Sequence, residues 1–294
     1  MKYMDVKLAK TAGFCYGVER AVNAVYDELS HDHGAIYTYG PIVHNETVVG
    51  ELKEKGVNVI DSFDELKELC LSGSMNGSSV IIRAHGVGKE VTELLSRPEY
   101  GINVIDATCP FVKKIHDIVT EHHKAGEKII VTGSAVHPEV LGILGQINND
   151  AVVIENLEEA KKLLVNIDDK YCIVSQTTFN LQKFQDIIEF FSKKLYYVNV
   201  VNTICNATQL RQKEAYELSR ECDAMIVIGG KNSSNTAKLY DICKKACRAT
   251  YYIGSLEDFD EDIDSSVHCV GITAGASTPK TIIQEVLKYV RDEF

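Results

Sequence analysis

The sequence predicts an α/β fold built from three pseudo-repeated small parallel-sheet domains. Three observations predict it. Short β-branched runs alternate with helix-forming runs of apolar period along the whole chain. The same local grammar, an apolar strand that turns through a cysteine into a helix, recurs at Cys15, Cys109 and Cys205. The two intervals between these cysteines are nearly equal, about 95 residues each, as expected of an internal repeat.

Each element has a local justification. Residues 6–15 are a strand and turn leading into helix 17–25; residues 102–110 lead in the same way into 112–119, and 196–201 lead through Cys205 into 209–218. About 24 positions after each cysteine comes an apolar strand that ends in glycine and opens into a polar loop. These strands are 35–40, 128–133 and 224–229, and their loops carry His44, then His137 and Glu139, then Ser233, Ser234 and Asn235. A second strand with an acidic helix start follows at 57–66, 151–160 and 250–259. A third strand with a polar tip follows at 80–86, 171–178 and 267–277, carrying His85, Thr177 and Ser277. The expected domains are therefore 14–108, 109–204 and 205–294, with 1–13 completing the third by pairing with its sheet. No proline-rich or low-complexity linker separates them.

Composition narrows the function classes. Of 294 residues, 45% are hydrophobic and 25% charged, as in an ordinary globular protein. A net charge of −11 with no basic run argues against a nucleic-acid partner. The longest apolar runs are far too short for a membrane span, and the opening residues lack a signal-peptide core, so a cytoplasmic location is expected. Nine cysteines, an odd number at wide spacing, do not suggest a disulfide framework. They are either buried thiols or ligands; Cys70, Cys172, Cys222, Cys269, Cys243 and Cys247 read as packing residues.

In open parallel sheets, ligands bind at the carboxyl ends of strands, where these polar residues fall. If the repeats face a common centre, Cys15, Cys109 and Cys205 converge. A mononuclear zinc ion is one occupant, although close C-x-x-C pairing is missing. Three thiolates without an obvious fourth suit an iron–sulfur cluster with one open iron. The ring of hydroxyl, amide and imidazole donors suits phosphate oxygens. Glu139 is its only carboxylate and the natural proton donor.

The motifs Gly13-Phe14-Cys15, Gly40-Pro41-Ile42-Val43-His44-Asn45, Arg83-Ala84-His85-Gly86-Val87, Asp106-Ala107-Thr108-Cys109-Pro110 and His137-Pro138-Glu139-Val140 resemble the 4-hydroxy-3-methylbut-2-enyl diphosphate reductase family. So do Ser175-Gln176-Thr177-Thr178, Asn202-Thr203-Ile204-Cys205-Asn206-Ala207-Thr208, Lys231-Asn232-Ser233-Ser234-Asn235 and Thr273-Ala274-Gly275-Ala276-Ser277-Thr278-Pro279. The resemblance runs in order along essentially the whole chain. It implies three α/β domains around a central [4Fe–4S] cluster held by Cys15, Cys109 and Cys205. It implies reductive removal of the hydroxyl of an allylic diphosphate, giving isopentenyl and dimethylallyl diphosphates and water in the non-mevalonate isoprenoid pathway. Glu139, with His137 and Thr177, would deliver protons; His44, His85, His137, Thr177, Ser233, Ser234, Asn235 and Ser277 would bind substrate. No Gly-x-Gly-x-x-Gly or Walker loop is present, so a ferredoxin or flavodoxin-like electron donor is expected. Two other readings share the cysteine pattern. Quinolinate synthase also has three α/β repeats and a three-cysteine cluster, and a cluster-holding sensor or scaffold would have no use for Glu139.

Overall fold

Strand and helix alternate, one stretch of the third repeat aside, from β1 (Asp5–Leu8) to the last helix in the computed structural model, which describes residues 4–31, 34–259, 263–264 and 266–293. The first repeat contains α1 (Tyr16–Leu29), β2 (Ile36–Tyr39), α2 (Glu46–Glu54), β3 (Val57–Ile60), α3 (Phe63–Leu71), β4 (Ser79–Ile82), α4 (Lys89–Leu95) and β5 (Asn103–Asp106). The second contains α5 (Pro110–Lys124), β6 (Lys128–Thr132), α6 (Pro138–Leu144), β7 (Ala151–Ile154), α7 (Leu157–Lys162), β8 (Tyr171–Ser175), α8 (Leu181–Lys194) and β9 (Val198–Val200). The third contains α9 (Asn206–Glu221), β10 (Ala224–Ile228), α10 (Ser234–Ala246), β11 (Ala249–Ile253), β12 (Cys269–Ala274) and α11 (Lys280–Glu293).

The strands form three four-stranded sheets of one topology, in the orders β3-β2-β4-β5, β7-β6-β8-β9 and β11-β10-β12-β1. All pairings are parallel. The edge strand before Cys109 pairs Asn103 with Ser79, and the one before Cys205 pairs Val198 with Tyr171. The strand before Cys15 takes the same place in the third sheet, with Asp5 opposite Cys269 and Leu8 opposite Ile272.

Sequence explains the layers. Strands β8 and β10 are buried at every residue and are almost wholly apolar, as befits central strands covered on both faces. Helix α8 buries Phe184, Ile187 and Phe191, a stripe at helical spacing, and Asn180 caps it by accepting from the Lys183 N–H at 2.9 Å. Helix α5 does the same with Val112, Ile115 and Val119 and starts on Pro110, where proline has no helical hydrogen bond to lose.

The second-strand landmark of the third repeat differs from its counterparts. Where α3 and α7 follow β3 and β7, β11 is followed, among the described residues, only by one 3₁₀ turn, Leu256–Asp258. A capping box between Ser255 and Asp258 satisfies the first amides of this turn, and Phe259 leaves helical geometry directly after it. Residues 260–262 and 265 lie outside the described residues, as do 1–3 of the expected N-terminal strand.

Two compact units result. One comprises 1–19, 43–51 and 206–294; the other comprises 20–42 and 52–205. The first has a core of Ile226, Ile228, Ile272, Val286 and Val290 between its sheet and α11. The second has separate cores for its two sheets, around Leu66, Val80 and Val91 and around Ile130, Ile173 and Phe191.

Candidate functional site

Each lead cysteine immediately precedes a helix, α1, α5 or α9, and each is anchored in the same way. The Cys109 N–H donates to the Ala84 carbonyl at 2.9 Å, that of Cys205 to Thr177 at 3.1 Å, and that of Cys15 to Ala276 at 3.2 Å. Ala84, Thr177 and Ala276 are each the second residue past the third strand of a repeat. One backbone bond thus holds each cysteine turn against a strand tip. None of the three is in a disulfide and all are half-buried, whereas Cys70, Cys172, Cys222, Cys243 and Cys247 are buried. A half-exposed thiol at a helix N-terminus is placed to act as a metal ligand.

Side chains from distant sequence brace these turns. In the first unit, Arg211 of α9 donates through Nε to the Thr11 carbonyl at 2.9 Å and through Nη2 to the Gly13 carbonyl at 2.7 Å. Glu214, one turn on, accepts from the Lys10 and Thr11 amides at 2.7 and 2.9 Å. Burial pushes the Glu214 carboxyl up, but these bonds and the Thr11 hydroxyl outweigh it and hold it below its usual range. Gly13 itself has φ +105°, in the region that favours glycine, and sets the chain direction into Cys15. In the second unit, Arg20 donates to the Thr108 carbonyl at 2.8 Å. Asp106 accepts from the Thr108 N–H at 2.9 Å and pairs with Lys113 at 2.6 Å. Burial raises the Asp106 carboxyl, and these partners more than reverse it. His116 lies against the turn after His85: a Cβ on Gly86, whose φ is +69°, would stand 2.8 Å from its ring. Burial lowers the His116 pKa to about 4, so the ring is neutral near pH 7.

The second unit also gathers His85, His137, Glu139 and Thr177. Glu139 is only 1% exposed, and its carboxylate lies at the tip of β8. There Thr177 donates to it twice, from N–H to Oε1 and from Oγ1 to Oε2, both at 2.6 Å. Its own N–H donates to His137 Nδ1 at 3.1 Å, which makes His137 the N-cap of α6 and leaves Nε2 as the ring's donor nitrogen. The His85 and His137 rings meet edge to face, with centroids 5.3 Å apart.

The first unit holds the other donors. Ser233 caps α10, accepting from the Thr236 N–H at 3.3 Å and hydroxyl at 2.9 Å. The Ser277 hydroxyl lies 3.2 Å from the His44 carbonyl and 3.4 Å from the Ser233 hydroxyl. Ser234 accepts from the Lys238 ammonium at 2.5 Å. A Cβ on Gly230 would come 2.5 Å from the His44 carbonyl, so only glycine lets these two loops close. The Asn235 amide nitrogen is buried and meets no acceptor among the described residues. An orphaned donor at the first turn of a 13-residue helix, beside two serine hydroxyls, is chemistry suited to an anion.

The structure therefore groups Cys15, His44, Ser233, Ser234, Asn235 and Ser277 in one unit, and His85, Cys109, His137, Glu139, Thr177 and Cys205 in the other. Arg20, Arg211, Glu214 and His116 emerge only with the fold, because their partners lie far away in sequence.

The chain matches known proteins along nearly its whole length. The LytB protein family matches residues 6–291. A 4-hydroxy-3-methylbut-2-enyl diphosphate reductase of Caldanaerobacter subterraneus subsp. tengcongensis is 43% identical over 289 residues, covering 98% of this chain and 97% of its own. One from Clostridioides difficile is 40% identical over 289 residues, covering 98% and 100%. Among solved structures, the Plasmodium falciparum E-1-hydroxy-2-methyl-but-2-enyl-4-diphosphate reductase superposes with a TM-score of 0.89 at 28% identity, covering 98% of this chain and 88% of its own. A second, described as the terminal enzyme of the non-mevalonate pathway, is 39% identical with a TM-score of 0.69 and covers 98% and 99%.

Proposed function

Because the chain belongs to the LytB protein family, we propose that it works as a 4-hydroxy-3-methylbut-2-enyl diphosphate reductase. It is an oxidoreductase of the non-mevalonate isoprenoid pathway. The allylic hydroxyl leaves as water, two electrons and two protons are consumed, and isopentenyl and dimethylallyl diphosphates form.

Cys15, Cys109 and Cys205 would hold a [4Fe–4S] cluster, a role supported by three half-buried cysteines, none in a disulfide, at equivalent helix starts. When bound, that cluster supplies the electrons and a Lewis-acid position for the substrate hydroxyl. The chain's own residues do the rest. Ser233, Ser234, Asn235 and Ser277, with His44, His85 and His137, bind the diphosphate, whose oxygens match the orphaned Asn235 amide and the α10 N-terminus. Holding the diphosphate orients the far end of the substrate, so binding energy remote from the reaction serves the reaction. Glu139 carries the proton and Thr177 fixes the direction of its carboxyl group. His137, whose Nδ1 is already engaged, presents its Nε2–H.

The electrons come from a ferredoxin or flavodoxin-like donor. The three repeats, 14–108, 109–204 and 205–294 with 1–13, are its domains, and the cytoplasm is its compartment.

One observation carries this reading: a buried carboxylate at a strand tip, held on both oxygens by one threonine. A structural acid would need only a partner, whereas this one is aimed. The test is anaerobic. The cluster is reconstituted, reduced with a viologen dye and given the hydroxylated diphosphate. Dye oxidation that disappears in Glu139→Gln, with cluster content unchanged, is the expected result. Full turnover in Glu139→Gln would remove Glu139 from the mechanism, and a full cluster with no wild-type turnover would leave only a cluster scaffold.

A further inference from the structure

The first unit carries a second group of thiols at the opposite end of its sheet from Ser277. Cys222 follows α9 and Cys269 opens β12, and their sulfurs lie 3.1 Å apart as free thiols. Backbone holds them there. The Asp223 N–H donates to the Cys269 carbonyl at 2.9 Å, and the Cys269 N–H donates to the Asp223 carboxylate at 3.0 Å. A missing side chain makes the room: a Cβ on Gly271 would stand 3.2 Å from the Cys222 sulfur and 2.5 Å from the Met225 sulfur. Lys7, opposite Gly271 in the β1–β12 ladder, reaches the same face and pairs with Glu221 at 3.1 Å. Its charge acts on both sulfurs. The two thiols differ in access, since Cys222 is buried and Cys269 is partly exposed.

We propose that Cys222 and Cys269 form a peroxide-responsive dithiol, in which Cys269 meets the oxidant and Cys222 resolves it. The Cys269 thiol gives up its proton and its sulfur attacks one oxygen of hydrogen peroxide; the O–O bond breaks, the departing hydroxide takes up that proton, and a sulfenic acid and one water result. The Cys222 sulfur then attacks the Cys269 sulfur, the S–S bond forms, the S–O bond breaks, and a second water leaves. The two thiols have then given two electrons to the peroxide. An accessible thiol poised beside a resolving one is the arrangement that oxidation selects. Burial raises the Cys222 thiol and disfavours its thiolate, so the partly exposed Cys269 is the one that meets the oxidant. The sulfurs need to close by only about 1 Å to bond. The link would join the C-terminal end of α9 to the start of β12. The opposite ends of these elements adjoin Cys205 and Ser277, so no site residue is consumed.

The full chain, with its cluster reconstituted under anaerobic conditions, is treated with a limiting amount of hydrogen peroxide. Thiols are then blocked with N-ethylmaleimide and the protein is digested without reductant. The expected result is a Cys222–Cys269 peptide as the first cross-link to appear. In Cys222→Ser, dimedone should trap sulfenic acid on Cys269 at about tenfold the wild-type level. Cys269→Ser, at the more accessible position, should abolish the cross-link and leave Cys222 wholly alkylatable after denaturation. The proposal is overturned if both cysteines are recovered alkylated at doses that already oxidise Cys70. It is equally overturned if Cys222 pairs instead with Cys243 or Cys247.

Discussion

Replacing Thr177 with valine separates aim from proton supply at Glu139. The side chain keeps its volume, and the Thr177 N–H still donates to Oε1, but the 2.6 Å hydroxyl bond to Oε2 is lost. A hydrogen bond to a charged group contributes roughly 1.5–3 kcal/mol, and losing this one loosens the direction of the carboxylate. If about 2 kcal/mol of that is expressed in the transition state, turnover falls roughly 30-fold. Dye-linked turnover under anaerobic conditions measures this, with kcat and KM resolved separately. The hydroxyl acts by positioning, so kcat should carry most of the loss, and Thr177→Ser should restore most of it. Equal kcat in wild type and Thr177→Val would refute the reasoning. So would a Thr177→Ser variant as slow as Thr177→Val, because the hydroxyl would then not be the cause.

Two other predictions rest on separate features. Serine at Cys15, Cys109 or Cys205 should each remove most of the bound iron and the visible absorbance of the reconstituted protein, whereas Cys70→Ser should retain both; iron analysis decides it. Between pH 6.5 and about 4 the folded protein should lose stability through His116, whose pKa burial lowers from 6.5 to about 4. The unfolded chain binds this proton first, so the stability is present above that window and is lost as pH falls through it. Discounted for partial exposure, the loss is about 2 kcal/mol. Denaturant midpoints against pH should show it in wild type and not in His116→Gln.

What could be read from sequence and what could not divides along the range of the interactions. Strand, turn and helix at Cys15, Cys109 and Cys205 are set by neighbours in the chain, and three copies in register made the common topology visible before any contact was known. The same repetition led to an acidic helix after β11, and there it overreached. Ser255 and Asp258 close a capping box on themselves, and the chain leaves helical geometry at Phe259. Glu139 and Thr177 were each legible as strand-tip residues, but their double hydrogen bond spans 38 positions and has no local sign. The clamp of Arg211 on Thr11 spans 200 positions, and Arg211 reads in sequence as one more cation on a charged helix. Burial of His116 beneath Gly86 is likewise a product of packing, since nothing near it in sequence is unusual.

The place of β1 in the third sheet has a consequence for the order of events during synthesis. β5 and β9 each leave the ribosome soon after the strand they will join, whereas β1 is made long before β12, its only partner in the sheet. Until then its amides and carbonyls have no ladder to enter, and closing so long a loop costs entropy that local pairing does not. Cys15 lies in the turn between β1 and α1, and its anchor at Ala276 is made later still. The turns at Cys109 and Cys205 can therefore be set while the nascent chain still lacks a settled Cys15. Loading of a three-thiolate centre would then await the completed polypeptide.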